Sequence, residues 1–184
     1  LELSRAISLA SREVCQGEIL QTQRRFDLTV TKKDYFSMIE MKTGALFAAA
    51  SGLAARISGR DEAICEAMHG YGMKLGTAYQ IYDDVVDIIG TEEVTGKTLG
   101  TDLEKGKLTL PILNLLDTAT PKQKEKLTKR IIEQEPLDLH ILGGIADYEG
   151  AVDDALKTAS QLVAEARGSL SLLNASEFTT ALED

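Results

Sequence analysis

An all-α fold is predicted, on three observations. Apolar residues recur at three- and four-residue intervals along nearly the whole chain, and strict apolar–polar alternation over four or more residues is rare. Ala, Leu, Glu and Lys dominate long stretches that hold only three prolines and no tryptophan, a composition of strong helix formers. The elements follow in order. A first helix is expected over about Leu3–Phe26. Thr31, with Asp34 three residues on, offers an N-cap for a second helix reaching Arg56. Its latter half, GALFAAASGLAARI, is small or apolar almost all round and suits burial between other helices. Ser58-Gly59 ends it. A third helix is expected from near Asp61 to about Ile89, roughly 43 Å at 1.5 Å per residue, with Gly90 as a left-handed C-terminal residue. Gly90 to Gly106 reads as a polar loop rich in Gly and Thr, and loops of that length in compact domains are usually functional or disordered. Pro111 and Pro121 fit the first turns of helices, the latter behind the cap Thr120. Shorter helices are expected at about Ile112–Asp117, Lys122–Glu133 and Leu137–Ala146, then a long one over Tyr148–Leu173 and part of another from Glu177. No repeat or linker divides residues 1–184, so a single helical domain is expected.

The 184 residues carry 20 basic and 29 acidic side chains, a net charge of −9. That length can bury a core, and 43% hydrophobic with 27% charged residues excludes wholesale disorder or a collagen-like fibre. The acidic balance argues against nucleic acid or an anionic membrane surface as the bulk partner. It leaves room for an anionic substrate held by local lysines. The most apolar stretch, Gly44 to Ile57, is shorter than the about 20 residues that cross a bilayer and is interrupted by Ser51 and Arg56, so no stable membrane insertion is expected. The opening LELSRAISLASREV lacks the basic-then-apolar pattern of a signal peptide. Cys15 and Cys65, without a CxxC pair, read as buried free thiols in a reducing cytoplasm. The first residues already stand at helical spacing (Leu1, Leu3, Ile7, Leu9, Val14), and the last, ALED, have no cap, as in a piece cut from something larger.

The residues that break a local rule lie in GTAYQIYDDVVDIIG. Gln80, Asp83, Asp84 and Asp87 share one helix face by three-and-four spacing. Three carboxylates then project from the last turns of a helix, where the macrodipole disfavours acids by roughly 0.3–1 kcal/mol each. Unit charges 4 Å apart also repel by about 4 kcal/mol at an effective dielectric of 20. A divalent cation removes the conflict, and Mg²⁺ takes one or two carboxylates together with waters and substrate phosphates. A solvated acidic helix end is the plainer alternative. Downstream, Lys97, Asp102, Lys105 and Lys107 are embedded in GKTLGTDLEKGKLTLP. Ammonium groups beside a carboxylate–metal cluster suit a polyphosphate, and the glycines let backbone approach a ligand; an ordinary solvated loop would also account for them.

Upstream, Lys42 and Thr43 stand in EMKTGALF, just before the apolar run. Lys42 is either an inward ammonium for a diphosphate, with the Thr43 hydroxyl as a second donor, or a snorkelling side chain at a helix surface. Glu18 and Gln21 lie one turn apart beside Gly17, which permits close helix packing; a buried hydrogen-bonded pair and a substrate contact both fit. His69 and His140 have no His or Cys at ligand spacing and read as core or surface residues. No Ser/His/Asp or Cys/His arrangement, P-loop or GxGxxG is present.

Taken together, GE-xx-Q at Gly17–Gln21, KTG at Lys42–Gly44, G-xx-YQIYDDVVD at Gly76–Asp87 and GK-xx-GTDLEKGKLTLP at Gly96–Pro111 resemble the trans-isoprenyl diphosphate synthases, or polyprenyl synthetases, in order and approximate spacing. The resemblance implies the all-α isoprenoid synthase-type helical bundle, here incomplete, with N-terminal helices missing. The activity it implies is head-to-tail condensation of an allylic diphosphate with isopentenyl diphosphate. Asp83, Asp84 and Asp87 would be the second aspartate-rich motif, binding Mg²⁺ that holds the allylic diphosphate. Lys42, Lys97 and Lys107 would contact that diphosphate, Thr43 and Gln80 would stabilise the allylic carbocation, and Asp102 would orient the loop or support the metal shell. A homodimer is implied in the same way. The chain departs from the family in lacking the first aspartate-rich motif and the upstream arginines of the isopentenyl diphosphate site. It is therefore expected to be the C-terminal part of a synthase, binding Mg²⁺-diphosphate weakly and turning over negligibly alone. A non-catalytic partner subunit of a heteromeric synthase and a terpene cyclase are the alternatives. Intact aspartates and lysines weigh against the former, and the KTG and GKLTLP elements against the latter.

Overall fold

The helix-forming sequence pattern is realised throughout. The computed structural model describes residues 2–90, 93, 96, 99–135 and 139–183, and every regular element among them is helical. In chain order these are α1 (Glu2–Gln23), α2 (Lys32–Ile39), a π-helical segment (Glu40–Gly44), α3 (Ala45–Ile57) and α4 (Glu62–Ile89). Then come α5 (Thr101–Glu104), α6 (Leu110–Thr118), α7 (Pro121–Ile132), α8 (Leu139–Ile145), α9 (Tyr148–Ser169), a 3₁₀ turn (Leu170–Leu172) and α10 (Glu177–Glu183). None of the helices among the described residues is long and apolar enough to cross a membrane.

The caps fall where the sequence puts them. Thr31 N–H donates to Asp34 Oδ2 (2.9 Å) and Asp34 N–H to the Thr31 hydroxyl (3.2 Å), a reciprocal capping box before α2. Asp61 accepts the Ile64 N–H (2.9 Å) at the start of α4. Thr120 and Gln123 form a second box before α7, whose first residue is Pro121.

Several expectations are corrected. The helix expected to run unbroken to Arg56 contains the π segment, so its ladder changes register at Lys42 and Thr43. Within it, Ala45, Ala48, Gly52 and Ala55 are buried while Leu46 and Ile57 are more than half exposed, one buried stripe rather than burial all round. α1 ends at Gln23, and Phe26 takes a left-handed φ of 58°. Gly90 is not left-handed: its N–H still bonds the Val86 carbonyl (2.8 Å), and positive φ falls instead on Gly96, Gly100 and Gly106. The expected loop holds the short helix α5. Cys65 is buried, but Cys15 is exposed. Leu137, expected to begin a helix, lies outside the described residues.

The chain divides into two compact units. Unit 1 comprises Leu1–Ile19, Ser37–Gln80 and Ala159–Asp184; unit 2 comprises Leu20–Phe36 and Ile81–Thr158. In unit 1, the π-helical segment and α3 meet α4 backbone to backbone, since a Cβ on Gly76 would lie 3.0 Å from the Gly44 Cα and one on Gly72 would collide with the Phe47 carbonyl. Ala55, Cys65, Met68, Tyr71, Ala166 and Leu170 fill its core. The core of unit 2 is mostly leucine and isoleucine from α6 to α8, including Leu113, Leu115, Leu127, Ile131 and Leu142, each worth about 1.5–3 kcal/mol on burial. Asn114 Nδ2 meets the Ala151 carbonyl at 3.1 Å, which satisfies its amide inside that core.

Candidate functional site

Two groups of candidate residues are placed, one in each unit. In unit 1 the group is built on the π segment. A π turn adds a residue to the helix ladder and re-aims the side chains around it, a geometry frequent at functional sites. Here it carries Lys42 and Thr43. The Thr43 hydroxyl donates to Gln80 Oε1 at 2.7 Å, so two residues from different sequence motifs are brought together. Lys42 Nζ pairs with Glu18 Oε2 at 3.1 Å, the lysine side chain 23% exposed. Gly17 makes this possible, because a Cβ there would stand 2.6 Å from the Lys42 amide nitrogen. The same unit holds a cavity of about 500 Å³ with an aliphatic wall of Ala6, Leu9, Ala10, Ala45, Ala49 and Leu53. Exposed His69 lies on its rim, with Arg56 paired to Glu62 nearby (2.6 Å).

The aspartates belong to unit 2 and differ in depth. Asp83 and Asp87 are half-buried, whereas Asp84 is 2% exposed. The Tyr35 hydroxyl donates to Asp84 Oδ2 at 2.7 Å inside the core. Burial, and then the Asp84 charge, push the Tyr35 phenol well above its ordinary range, so it stays a donor. The chain after α4 folds back onto the end of that helix. Gly100 N–H donates to the Asp87 carbonyl (2.8 Å) and Asp102 N–H to Asp87 Oδ2 (3.0 Å). Burial pushes the Asp87 carboxyl up, opposed by the backbone donor from Asp102. Lys107 Nζ then pairs with Asp102 Oδ1 at 2.5 Å, both side chains 16% exposed. Lys97 lies outside the described residues.

The sequence groups Asp83, Asp84 and Asp87 as three metal ligands. Among the described residues no three His, Cys, Asp or Glu side chains gather closely enough to hold a metal ion, and Asp84 is turned towards Tyr35. The donor chemistry nevertheless fits Mg²⁺, which needs only one or two hard carboxylates when waters and phosphate oxygens complete its shell. Asp83 and Asp87, one helical turn apart and partly exposed, meet that demand. Sequence reasoning missed Tyr35. Its only signal is a tyrosine at a core position of KKDYFSMI, where a buried hydroxyl needs a partner.

The fold and its aspartate- and lysine-bearing helix ends define an isoprenoid synthase architecture, and comparison with known proteins agrees. The family model described as polyprenyl synthetase matches residues 1–142. The chain belongs to the polyprenyl synthetase family. It is 32% identical over 174 residues to the geranylfarnesyl diphosphate synthase of Natronomonas pharaonis, covering 94% of this chain and 49% of that protein. To a chloroplastic solanesyl-diphosphate synthase of Oryza sativa it is 33% identical over 184 residues, covering all of this chain and 45% of the other. A polyprenyl synthase from Caulobacter crescentus, complexed with calcium and isoprenyl diphosphate, superposes with a TM-score of 0.90 at 33% identity, covering 100% of this chain and 56% of that one. The chain thus spans about half the length of the curated relatives it matches.

Proposed function

We propose that these residues carry the allylic-diphosphate side of a prenyl-elongating active site. The whole protein would condense an allylic diphosphate with isopentenyl diphosphate: a bond forms between C1 of the first and C4 of the second, and diphosphate and a proton leave. The observation that carries this reading is the fold-back of the Gly100–Lys107 segment onto Asp87. It sets a lysine-bearing turn against the carboxylate-bearing end of α4, an arrangement of both signs of charge that suits a metal-bound diphosphate.

Asp83 and Asp87 would hold Mg²⁺, with Asp84 supporting them from inside the core. A cation bound there would offset the negative charge that develops on the departing diphosphate. Lys107, and Lys97 and Lys42 in the same reading, bind the diphosphate oxygens, and as point charges they need no fixed fork geometry. Thr43 and Gln80 would stabilise a developing allylic cation; the Thr43 hydrogen goes to Gln80 Oε1, which leaves the Thr43 oxygen lone pairs to be presented to it. The aliphatic cavity of unit 1 suits an isoprenoid tail and excludes water from it. In this reading all 184 residues form part of one synthase domain, working as a homodimer in the cytoplasm.

The test is incorporation of labelled isopentenyl diphosphate by the natural reading frame that encodes these residues, parent against Asp83→Asn. Turnover is expected to fall by orders of magnitude with helicity unchanged. A folded Asp83→Asn protein of near-normal activity would sink the assignment.

A further inference from the structure

We infer that Asp102 is an internal counter-ion for Lys107, whose ammonium it holds until a diphosphate oxygen displaces it, so that binding exchanges one anion for another. The inference rests on the proposed diphosphate reading and makes Asp102 a positioning residue that acts through Lys107.

The turn that carries the pair does not depend on it. Within unit 2, Lys107 N–H donates to the Asp102 carbonyl (2.8 Å) and Gly106 N–H to the Leu103 carbonyl (2.9 Å), which closes the turn by main-chain bonds. Gly100 N–H on the Asp87 carbonyl (2.8 Å) and Asp102 N–H on Asp87 Oδ2 (3.0 Å) anchor it to α4, again with main-chain donors. The contact of Lys107 Nζ with Asp102 Oδ1 at 2.5 Å is therefore a second tie between two residues already tied. A lysine ammonium sits on a flexible four-carbon stem with three rotatable donors, so the head can swing away while the turn stays.

Burial explains why the ammonium needs an anion in place of water. Both side chains are 16% exposed, whereas in the Lys42–Glu18 pair of unit 1 the lysine is 23% and the glutamate 50% exposed. An ammonium so far withdrawn from solvent is costly without a counter-charge. Asp102 supplies that charge before a ligand arrives, and a diphosphate supplies it afterwards through charge-assisted hydrogen bonds. The Mg²⁺ that accompanies the diphosphate compensates the Asp102 carboxylate for the cation it gives up. Breaking the pair has a cost, and a multiply charged anion offsets it better than a singly charged one.

The experiment is calorimetric titration with inorganic diphosphate in Mg²⁺-free buffer, using the product of the natural reading frame that encodes these residues. Asp102→Asn keeps the main-chain donor to Asp87 and removes the competing charge. It is expected to bind diphosphate about tenfold more tightly than the parent, the worth of one hydrogen bond to a charged group. Damage to the turn would weaken binding, so a gain is not a by-product of instability. The gain is expected to vanish in the Lys107→Gln background, where adding Asp102→Asn should change affinity by less than twofold. Affinity of Asp102→Asn no greater than the parent's overturns the inference. So does a gain that survives Lys107→Gln, since that is a plain effect of net charge. Should Asp102→Asn fail to fold, a crystal of the parent soaked with Mg²⁺ and diphosphate decides. Lys107 Nζ is expected on a diphosphate oxygen, and Nζ still on Asp102 overturns the inference. Asp83→Asn separates the two claims. With Mg²⁺ present, binding that Asp83→Asn loses, beside no gain in Asp102→Asn, removes the exchange alone. Undiminished binding in Asp83→Asn, or a parent that takes no Mg²⁺-diphosphate, removes the diphosphate reading and the exchange with it.

Discussion

The Thr43 hydroxyl donates to the side-chain carbonyl of Gln80 across 2.7 Å. The bond exists because the π segment re-aims Thr43 from the ladder that α2 would otherwise continue, and because Gln80 is buried on α4. Two short motifs 37 residues apart are thereby made one structural feature.

Thr43→Val preserves the shape of the side chain and deletes the donor. A buried carbonyl that loses its partner costs about 1–3 kcal/mol. Urea unfolding is expected to show a loss within that range. Equal stability of parent and Thr43→Val would mean that the bond carries no weight.

Gly17→Ala tests the approach of α1 to the π segment. Alanine would gain about 0.5–1 kcal/mol of helix propensity over glycine. Its Cβ, however, would stand 2.6 Å from the Lys42 amide nitrogen and 2.9 Å from the Lys42 Cα, both backbone atoms that cannot rotate away. Overpacking of this kind costs about 1–3 kcal/mol or more and wins. A lowered melting temperature is expected, together with loss of the Lys42–Glu18 pair. A raised one would show that the backbones separate freely.

Most of the secondary structure was legible in the residues. The caps at Thr31, with Asp34 three residues on, and at Thr120, and the prolines at helix starts are local signals, and they gave the starts of α2 and α7 within a residue. The π segment was not legible, because its EMKTG sequence is compatible with an ordinary helical turn and the extra residue answers to packing against Gly17 and α4. At the site, the spacing of Gln80, Asp83, Asp84 and Asp87 correctly puts them on one helix. It could not say that Asp84 is drawn inward, because that depends on a tyrosine 49 residues away. Exposed Cys15 failed for the same kind of reason: periodicity marks a helix face, but the neighbour that would cover the face is not encoded nearby.

The capping box before α2 predicts a pH dependence. The Thr31 backbone N–H first, then its hydroxyl, hold the Asp34 carboxyl below the ordinary carboxylate value. A depressed folded pKa means that the folded state binds fewer protons than the unfolded one. The stabilisation is therefore present above the unfolded carboxylate pKa of about 3.9 and is lost as pH falls through the lower folded value. Thermal melts of parent and Asp34→Ala should differ at pH 7, with the gap narrowing markedly towards pH 2. A gap that is constant across this range would show that the charged carboxylate plays no part.

Gly106→Ala probes the turn that presents Lys107. Two effects act against alanine there. Gly106 has φ of 75°, and a left-handed non-glycine residue costs roughly 1–2 kcal/mol. Its Cβ would also lie 2.5 Å from the Phe26 ring and 2.6 Å from that ring's Cγ, while the Gly106 carbonyl accepts the Phe26 N–H at 2.8 Å and holds the two backbones together. The steric part depends on Phe26 and the backbone part does not, which makes the two separable. Phe26→Ala alone removes apolar contact at a half-buried site; combined with Gly106→Ala it also removes the clash, leaving only the left-handed strain at position 106. The double variant is therefore expected to lose less stability than the two single losses added together, by about 1 kcal/mol or more, within the range seen for residues in contact. Strictly additive losses in urea would place the whole effect in the backbone and show that the aromatic ring merely lies beside the turn.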